Sequence, residues 1–168
     1  MNNNHYICKL ATLKEMNQKW DYEIEKAKED KENLKVWKTR HIERFQKGMI
    51  IPYYGLLDGK IICECTASID PSIVENRDNL INKETVYLSA FRTIEEYQGQ
   101  GFFSILVKYM LNDLKTRGYK YATLGVEPTE LKNKAIYQKL GFTEYLENAK
   151  EVYPDGKIVE VEYYRKKL

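Results

Sequence analysis

The segment Glu96–Ser104, which reads EYQGQGFFS, constrains the fold of this chain more than any other stretch. It follows Val86–Phe91, an alternating run of β-branched and aromatic residues that predicts a strand. After it, apolar residues recur with helical spacing from Phe103 to Leu114, and Gly118 supplies the stop. A glycine-rich turn between a strand and a helix start points free backbone N–H groups at an anion. The segment therefore predicts a turn that can bind a phosphate group.

The remaining elements predict a mixed sheet. Thr12 and Glu15 have the spacing of a capping box, and Asp58-Gly59 is typical of a hairpin turn. The expected strands cover residues 7–10, 49–57, 60–68, 86–93, 119–126, 143–146 and 158–164, and the expected helices begin at Thr12 or cover 31–46, 103–117 and 132–140. Residues 69–83 are expected to form a loop. The fold class is thus α/β (α+β), with a mixed, mostly antiparallel central sheet, helices on both faces, and residues 1–168 in a single domain.

Composition excludes several classes of protein. The net charge is only +2, so we expect no nucleic-acid partner. No apolar run is long enough to cross a membrane, and no secretory signal precedes the first strand, so we expect no membrane partner. Three cysteines without Cys-x-x-Cys spacing argue against a disulfide framework and against any metal site. The simplest compartment is the cytoplasm, where Cys63 and Cys65 would be reduced packing residues on one strand face.

Three phosphate-bearing ligands are candidates for the glycine turn. A Walker loop needs Gly-x-x-x-x-Gly-Lys-Ser/Thr, which is missing from the chain. A dinucleotide fingerprint needs a third glycine where this chain has Ser104, and the preceding antiparallel hairpin does not suit that fold. The pyrophosphate of coenzyme A is a third candidate. A helix start with no ligand also remains open at this point.

A second motif resembles a known family. Residues 127–142 contain Asn-x-Ala-x-Tyr-x-Lys-x-Gly-Phe, from Asn133 to Phe142. This segment resembles the GNAT superfamily of acyl-CoA-dependent N-acetyltransferases. Gln98 and Gly101 likewise match the first fixed positions of that family's Gln/Arg-x-x-Gly-x-Gly/Ala signature. The resemblance covers residues 85–143. It implies the GNAT-like acyl-CoA N-acyltransferase fold, with acetyl-CoA as co-substrate.

The resemblance also implies a cofactor site. Amides of the glycine turn would hold the pyrophosphate, and the edge of the strand at 91–93 would pair with the pantetheine arm in a gap near Gly125. The implied cofactor-binding residues are Phe91, Arg92, Thr93, Gln98, Gly99, Gln100, Gly101, Phe102, Phe103, Ser104 and Asn133. Two positions depart from the family pattern. Phe103 replaces a small residue, so its ring must point away from the turn, and Glu130 stands where many relatives have Asn.

The implied reaction moves an acetyl group from acetyl-CoA to a primary amine by direct attack in a ternary complex. Tyr137 matches the family's general acid, and either Glu64 or Glu127 could be the general base. The alternative is a CoA-binding or regulatory module without transferase activity, which Phe103 favours. We expect helices at 13–47 and the loop at 69–84 to line the side of the acceptor, a small-molecule or peptide amine.

Two further expectations concern single elements. His41 lies on an apolar helical face, which is typical of a core histidine. The final strand, Glu160–Arg165, is expected to be an exposed edge that could pair with a second copy in a homodimer.

Overall fold

A computed structural model describes residues 5–168 of the chain. The strands are β1 (Tyr6–Leu10), β2 (Ile50–Leu57), β3 (Lys60–Ser68), β4 (Thr85–Thr93), β5 (Tyr121–Val126), β6 (Glu144–Val152) and β7 (Ile158–Lys167). The helices are α1 (Leu13–Lys26), α2 (Lys31–Gln46), α3 (Phe102–Thr116) and α4 (Leu131–Lys139), and short 3-10 turns lie at Pro71–Val74 and Glu95–Tyr97. Among these residues, no helix is long and apolar enough to span a membrane.

One sheet contains all seven strands, in the order β1-β2-β3-β4-β5-β7-β6. Every neighbouring pair is antiparallel except β4 and β5, which are parallel. The parallel pair requires a crossover, and α3 supplies it between the two strands. The predicted mixed, mostly antiparallel sheet is confirmed.

Helices cover both faces of the sheet, as predicted. Successive residues of β2 point to opposite faces. Tyr53 is buried in the main core, with Leu106 and Met110 of α3. Tyr54 is buried on the other face, with Met16 of α1. Tyr137 of α4 and Leu140, the residue after this helix, pack against the same core as α3.

Local signals explain where several elements begin and end. The amide of Glu15 donates to Thr12 Oγ1 at 3.2 Å, and the amide of Thr12 donates to Glu15 Oε1 at 3.0 Å, so the predicted capping box is present. Asp58 and Gly59 both have positive φ, which suits a two-residue hairpin turn between β2 and β3. Gly118, with a φ of +98°, directly follows Arg117, the C-cap residue of α3.

The expectation about the final strand is wrong. β7 lies between β5 and β6. β6 pairs with this strand along Glu160–Arg165, and β5 pairs with it from Glu162 onward, so the strand is not the edge of the sheet. The reason is burial, because Val159, Val161 and Tyr163 of β7 pack into the protein. The edge strand at this end of the sheet is β6, which extends to Val152 instead of ending at residue 146.

The predicted loop at 69–83 is more ordered than expected. It contains the 3-10 turn Pro71–Val74. Leu80 and Ile81 are fully buried and form a small core with Val161 and Tyr163. The segment therefore covers one part of the sheet.

Candidate active site

The sheet divides where β4 and β5 separate. These strands pair only from Thr85 with Tyr121 to Leu88 with Leu124. Beyond that point β4 continues to Thr93 against β3, and β5 continues to Val126 against β7. Ala90 has a φ of +55°, and the β3–β4 register shifts at this level. The β4 edge that faces away from β3 is therefore unpaired beyond Leu88, among the residues that the structure describes.

The glycine turn leads directly into α3. Gly99 and Gly101 have φ values of +73° and +86°, a conformation that favours glycine. Within residues 5–168, the amides of Phe102, Phe103 and Ser104 have no hydrogen-bond acceptor, and Gly101 provides no side-chain cap. These three N–H groups, together with the helix dipole, suit a phosphate-bearing ligand.

Two glutamine side chains hold the turn in place. Gln98 Nε2 donates to the carbonyl of Thr93 at 3.1 Å. Gln100 Nε2 donates to the carbonyl of Glu96 at 3.1 Å. In this structure both side chains therefore contact the protein backbone, and the turn offers a ligand mainly its own amides.

A groove with a volume of about 910 Å³ runs between β4, α3 and α4, and we name it the β4–α4 groove. All of the predicted cofactor-binding residues except Gln100 line it, and so does Tyr137. The groove is also lined by Lys108, Lys132 and Lys139, which the motifs did not single out. Lys108 follows Ser104 by four positions, about one turn of α3, and this spacing is a signal that could have found it.

Phe103 points away from the turn, as predicted. Its ring meets Phe91 of β4 edge to face, with ring centroids 5.6 Å apart and an interplanar angle of 85°. Phe91 in turn lies against Tyr137, with ring centroids 5.2 Å apart. Phe103 therefore packs on the floor of the β4–α4 groove and leaves its own amide available.

Tyr137 and Asn133 lie on α4. Burial, with a smaller contribution from Glu130, raises the pKa of Tyr137 to about 12, so its phenol keeps its proton at neutral pH. Asn133 Nδ2 donates to Glu130 Oε2 at 3.0 Å. Glu130, which stands where many relatives have Asn, therefore accepts a hydrogen bond from Asn133, a predicted cofactor-binding residue.

A second cavity, of about 720 Å³, lies on the face that α1 and α2 cover, and we name it the α1–α2 cavity. Its lining comes from α1, α2, the segment between them, β3, β4 and the residues that follow β4. No residue of 69–84 lines this cavity. The two cavities share Arg92, Thr93 and Gln98 as common lining residues.

Four charged residues of the α1–α2 cavity form one cluster. Glu64 is only 2% exposed and contacts the ammonium group of Lys19. Glu23 lies 3.2 Å from Lys19 and 3.3 Å from Arg92. Arg92 lies 3.9 Å from Glu64. Burial raises the pKa of the Glu64 carboxyl, although Lys19 opposes that shift.

Glu127 lies apart from this cluster, at the end of β5. Its Oε1 is 3.5 Å from the hydroxyl of Tyr153, and it lines neither cavity.

His41 packs edge-on against Trp20, with centroids 5.5 Å apart, and burial lowers its pKa to about 3. His41 is partly buried at the edge of the core and lies 3.5 Å from the hydroxyl of Thr66, which agrees with a packing role.

The geometry agrees with comparisons to known proteins. A ribosomal-protein-S18-alanine N-acetyltransferase from Escherichia coli superposes with a TM-score of 0.72 and 15% identity, covering 96% of this chain and 93% of that chain. A ribosomal L7/L12 α-N-protein acetyltransferase in complex with coenzyme A gives 0.70 and 13%, covering 100% and 97%. The protein yncA from Salmonella typhimurium, solved with acetyl-CoA, gives 0.67 and 14%, covering 98% and 95%.

Similarity is recognised at the level of family and fold. No curated protein matches the chain in sequence. The sequence profile of the acetyltransferase (GNAT) family matches residues 10–142. The molecule is thus an acyltransferase enzyme. The chain belongs to the GNAT family of acetyltransferases, and acetyl-CoA, the acyl donor of that family, is its co-substrate.

Proposed function

We propose that residues 1–168 act as a single N-acetyltransferase domain that moves the acetyl group of acetyl-CoA to a primary amine by direct attack in a ternary complex. The meeting of the β4–α4 groove and the α1–α2 cavity at Arg92 and Thr93 is the observation that carries this proposal. A donor in the groove and an acceptor in the cavity could then meet without a covalent enzyme intermediate.

The β4–α4 groove would hold acetyl-CoA. The free amides of Phe102, Phe103 and Ser104 would bind the pyrophosphate at the start of α3. The unpaired edge of β4 near Phe91 would pair with the pantetheine arm, as an added strand would. An amide at this edge would stabilise the oxyanion that forms when the amine attacks the thioester carbonyl.

Tyr137 would act as the general acid. Its phenol carries a proton at neutral pH, because burial raises its pKa, and it lines the groove beside Phe91. When the C–S bond breaks, the electron pair goes to sulfur, and Tyr137 would protonate the leaving thiolate.

Glu64 would act as the general base. It lines the α1–α2 cavity, where an acceptor amine would bind, and its raised pKa makes it a stronger proton acceptor than an exposed carboxylate. It would take a proton from the amine directly or through one water. Glu127 is the second candidate, with less support because it lines neither cavity.

The acceptor would be a small molecule or a peptide with a primary amine. Tyr22 and Trp37 give the α1–α2 cavity aromatic walls, and Glu29 and Glu95 add carboxylates to its lining. One of the similar structures is the ribosomal-protein-S18-alanine N-acetyltransferase from Escherichia coli, so a peptide N-terminus belongs in any substrate panel. The free thiols of Cys8, Cys63 and Cys65 support the reducing cytoplasm as the compartment.

The test is acetyl-CoA turnover with a panel of amines, followed by release of the CoA thiol. The panel contains peptides with free N-termini, polyamines, amino acids and aminoglycosides, each compared with its N-acetylated form as a control. We expect release with at least one free amine, and intersecting initial-velocity lines when both substrates are varied. Parallel lines would rule out direct attack in a ternary complex. CoA binding without turnover of any amine would favour a binding module.

A further inference from the structure

Tyr6 connects the edge strand β1 to the first residue of α3. Its hydroxyl donates to the carbonyl of Phe102 at 2.9 Å, although the two residues lie 96 positions apart in the chain. The two rings also pack together, with centroids 4.7 Å apart and an interplanar angle of 49°. Phe102 lies in the first turn of the helix whose free amides line the β4–α4 groove.

Gly55 of β2 leaves the space that this contact requires. A Cβ atom on Gly55 would lie 2.1 Å from the Tyr6 hydroxyl oxygen, closer than any non-bonded contact allows. The phenol of Tyr6 therefore crosses over the backbone of β2 at the one residue without a side chain. Three features thus belong to one arrangement: the hydrogen bond, the ring contact and the glycine.

The first turn of α3 lacks a side-chain cap, although the rings of Phe102 and Phe103 pack against Tyr97 and Phe91. Its N-cap residue is Gly101, which has no side chain to cap the helix, and both Gly99 and Gly101 have positive φ. Gln98 and Gln100 hold the turn to β4 and to Glu96, but neither contacts the helix itself. The bond from Tyr6 fixes the peptide group that follows Phe102, which carries the Phe103 amide.

We propose that Tyr6 is a positioning residue for the phosphate-binding turn, and that it sets affinity for the pyrophosphate of acetyl-CoA without touching it. This inference rests on the proposed function of the β4–α4 groove. Tyr6 holds the plane of the Phe102–Phe103 peptide, so the amides of the first turn point into the groove before the donor arrives. Preorganisation of this kind strengthens binding, because the ligand does not have to order the turn.

The test compares two Tyr→Phe variants at opposite ends of the same helix. Tyr6→Phe removes the hydroxyl at the first turn of α3. Tyr53→Phe removes a hydroxyl that donates to Asp113 at 2.6 Å, near the last turn of α3. Asp113 keeps its pair with Arg117 at 2.7 Å, so this control leaves no unpaired carboxylate. We expect Tyr6→Phe to raise KM for acetyl-CoA about three- to tenfold, the effect of one lost hydrogen bond, with kcat unchanged. Tyr53→Phe should leave both constants unchanged.

A truncated acyl donor distinguishes an effect on the pyrophosphate site from a general loss of order in the groove. S-acetylpantetheine carries the same thioester but no pyrophosphate. The kcat/KM of Tyr6→Phe should therefore fall relative to the wild type with acetyl-CoA and stay equal to it with S-acetylpantetheine. An equal fall with both donors, an unchanged KM, or the same change in Tyr53→Phe would overturn the inference.

A second variant and a binding measurement test the role of Tyr6 independently. Gly55→Ala displaces the Tyr6 phenol without altering it, and it should raise the same KM. Calorimetric titration of the full chain with CoA and with pantetheine tests the role of Tyr6 even if no amine is turned over. We expect Tyr6→Phe to weaken binding of CoA and not of pantetheine, and unchanged binding of CoA would contradict the proposal. A wild type that binds CoA but acetylates no amine would instead refute only the proposed reaction.

Discussion

The ammonium group of Lys19 contacts the carboxylate of Glu64 beneath the α1–α2 cavity, where the two side chains are only 5% and 2% exposed. The positive charge comes from α1 and the negative charge from β3. Each charge makes the burial of the other tolerable, because an isolated ion in the protein interior loses its hydration without compensation. Lys19 also lies 3.6 Å from the centre of the Trp20 ring, which adds a cation–π contact.

Replacing Lys19 with methionine should destabilise the protein in a pH-dependent way. Glu64 would remain buried without its main partner, so its folded-state pKa would rise further above the ordinary value of about 4.3. Between the two pKa values the folded state then binds more protons than the unfolded state, and stability falls as the pH rises. We expect the free energy of unfolding to fall below that of the wild type by about 3 kcal/mol near pH 8.5 and by less near pH 5.5, as measured by urea unfolding.

The matched control for this variant is Lys35→Met. Lys35 pairs with Glu32 at 2.9 Å, but the two side chains are 52% and 82% exposed. Exposed pairs contribute little, so this control should be close to the wild type at both pH values. An equal loss at both pH values in Lys19→Met would show that Glu64 is not the group that titrates.

Glu64→Gln should separate the two candidates for the general base. Glutamine keeps the shape of the side chain but cannot take the proton from the amine, so we expect kcat to fall about 10²-fold or more. The wild-type rate should rise with pH through the pKa of Glu64, which burial places above the usual range, and this limb should be absent in the variant. Glu127→Gln is the matched control and should keep both kcat and the limb. A large fall only in Glu127→Gln would move the base to the end of β5.

Tyr137→Phe should lower kcat with little effect on binding of CoA. The phenylalanine ring keeps the contact with Phe91, so the groove retains its shape while the proton donor is lost. We expect kcat to fall about 10²- to 10⁴-fold and the dissociation constant of CoA, from calorimetry, to change by less than about threefold. Tyr145→Phe is the control, because Tyr145 is exposed on β6 and its hydroxyl donates to the exposed side chain of Asn148. Unchanged turnover in Tyr137→Phe would remove Tyr137 from the mechanism.

Gly101→Ala should test the glycine turn. A Cβ at Gly101 meets no atom within 4 Å, so the cost comes only from its φ of +86°, about 1–2 kcal/mol for a residue with a side chain. If the turn relaxes to avoid that strain, the amides of α3 move and KM for acetyl-CoA rises. Gly48→Ala is the control, since Gly48 has a φ of +71°, also has free space, and follows α2 away from the groove. Both variants should lose similar stability in a thermal melt, and only Gly101→Ala should change KM. A similar KM in both would argue against the turn as a binding element.

Local signals in the sequence predicted most of the elements. The capping box at Thr12, the Asp58-Gly59 turn and the glycines after α3 and α4 act over a few residues, so a pattern search finds them. The length of β6 was missed, because the apolar residues of this edge strand do not alternate regularly with its Glu, Asn and Lys residues. The position of β7 was missed for a different reason. Strand order in the sheet depends on which faces become buried, and local patterns do not contain that information.

The sequence by itself determined the β4–α4 groove. Its residues come from two short segments, 91–108 and 132–140, whose glycines and helix boundaries are local properties of the chain. Only the tertiary structure decided the partners of Glu64 and Tyr6. A carboxylate on β3 becomes a buried, ion-paired group only when α1 packs over it, and a phenol on β1 reaches α3 only across the glycine of β2. Burial and charge pairing depend on which surfaces meet in three dimensions, and these contacts join segments that are distant in the chain.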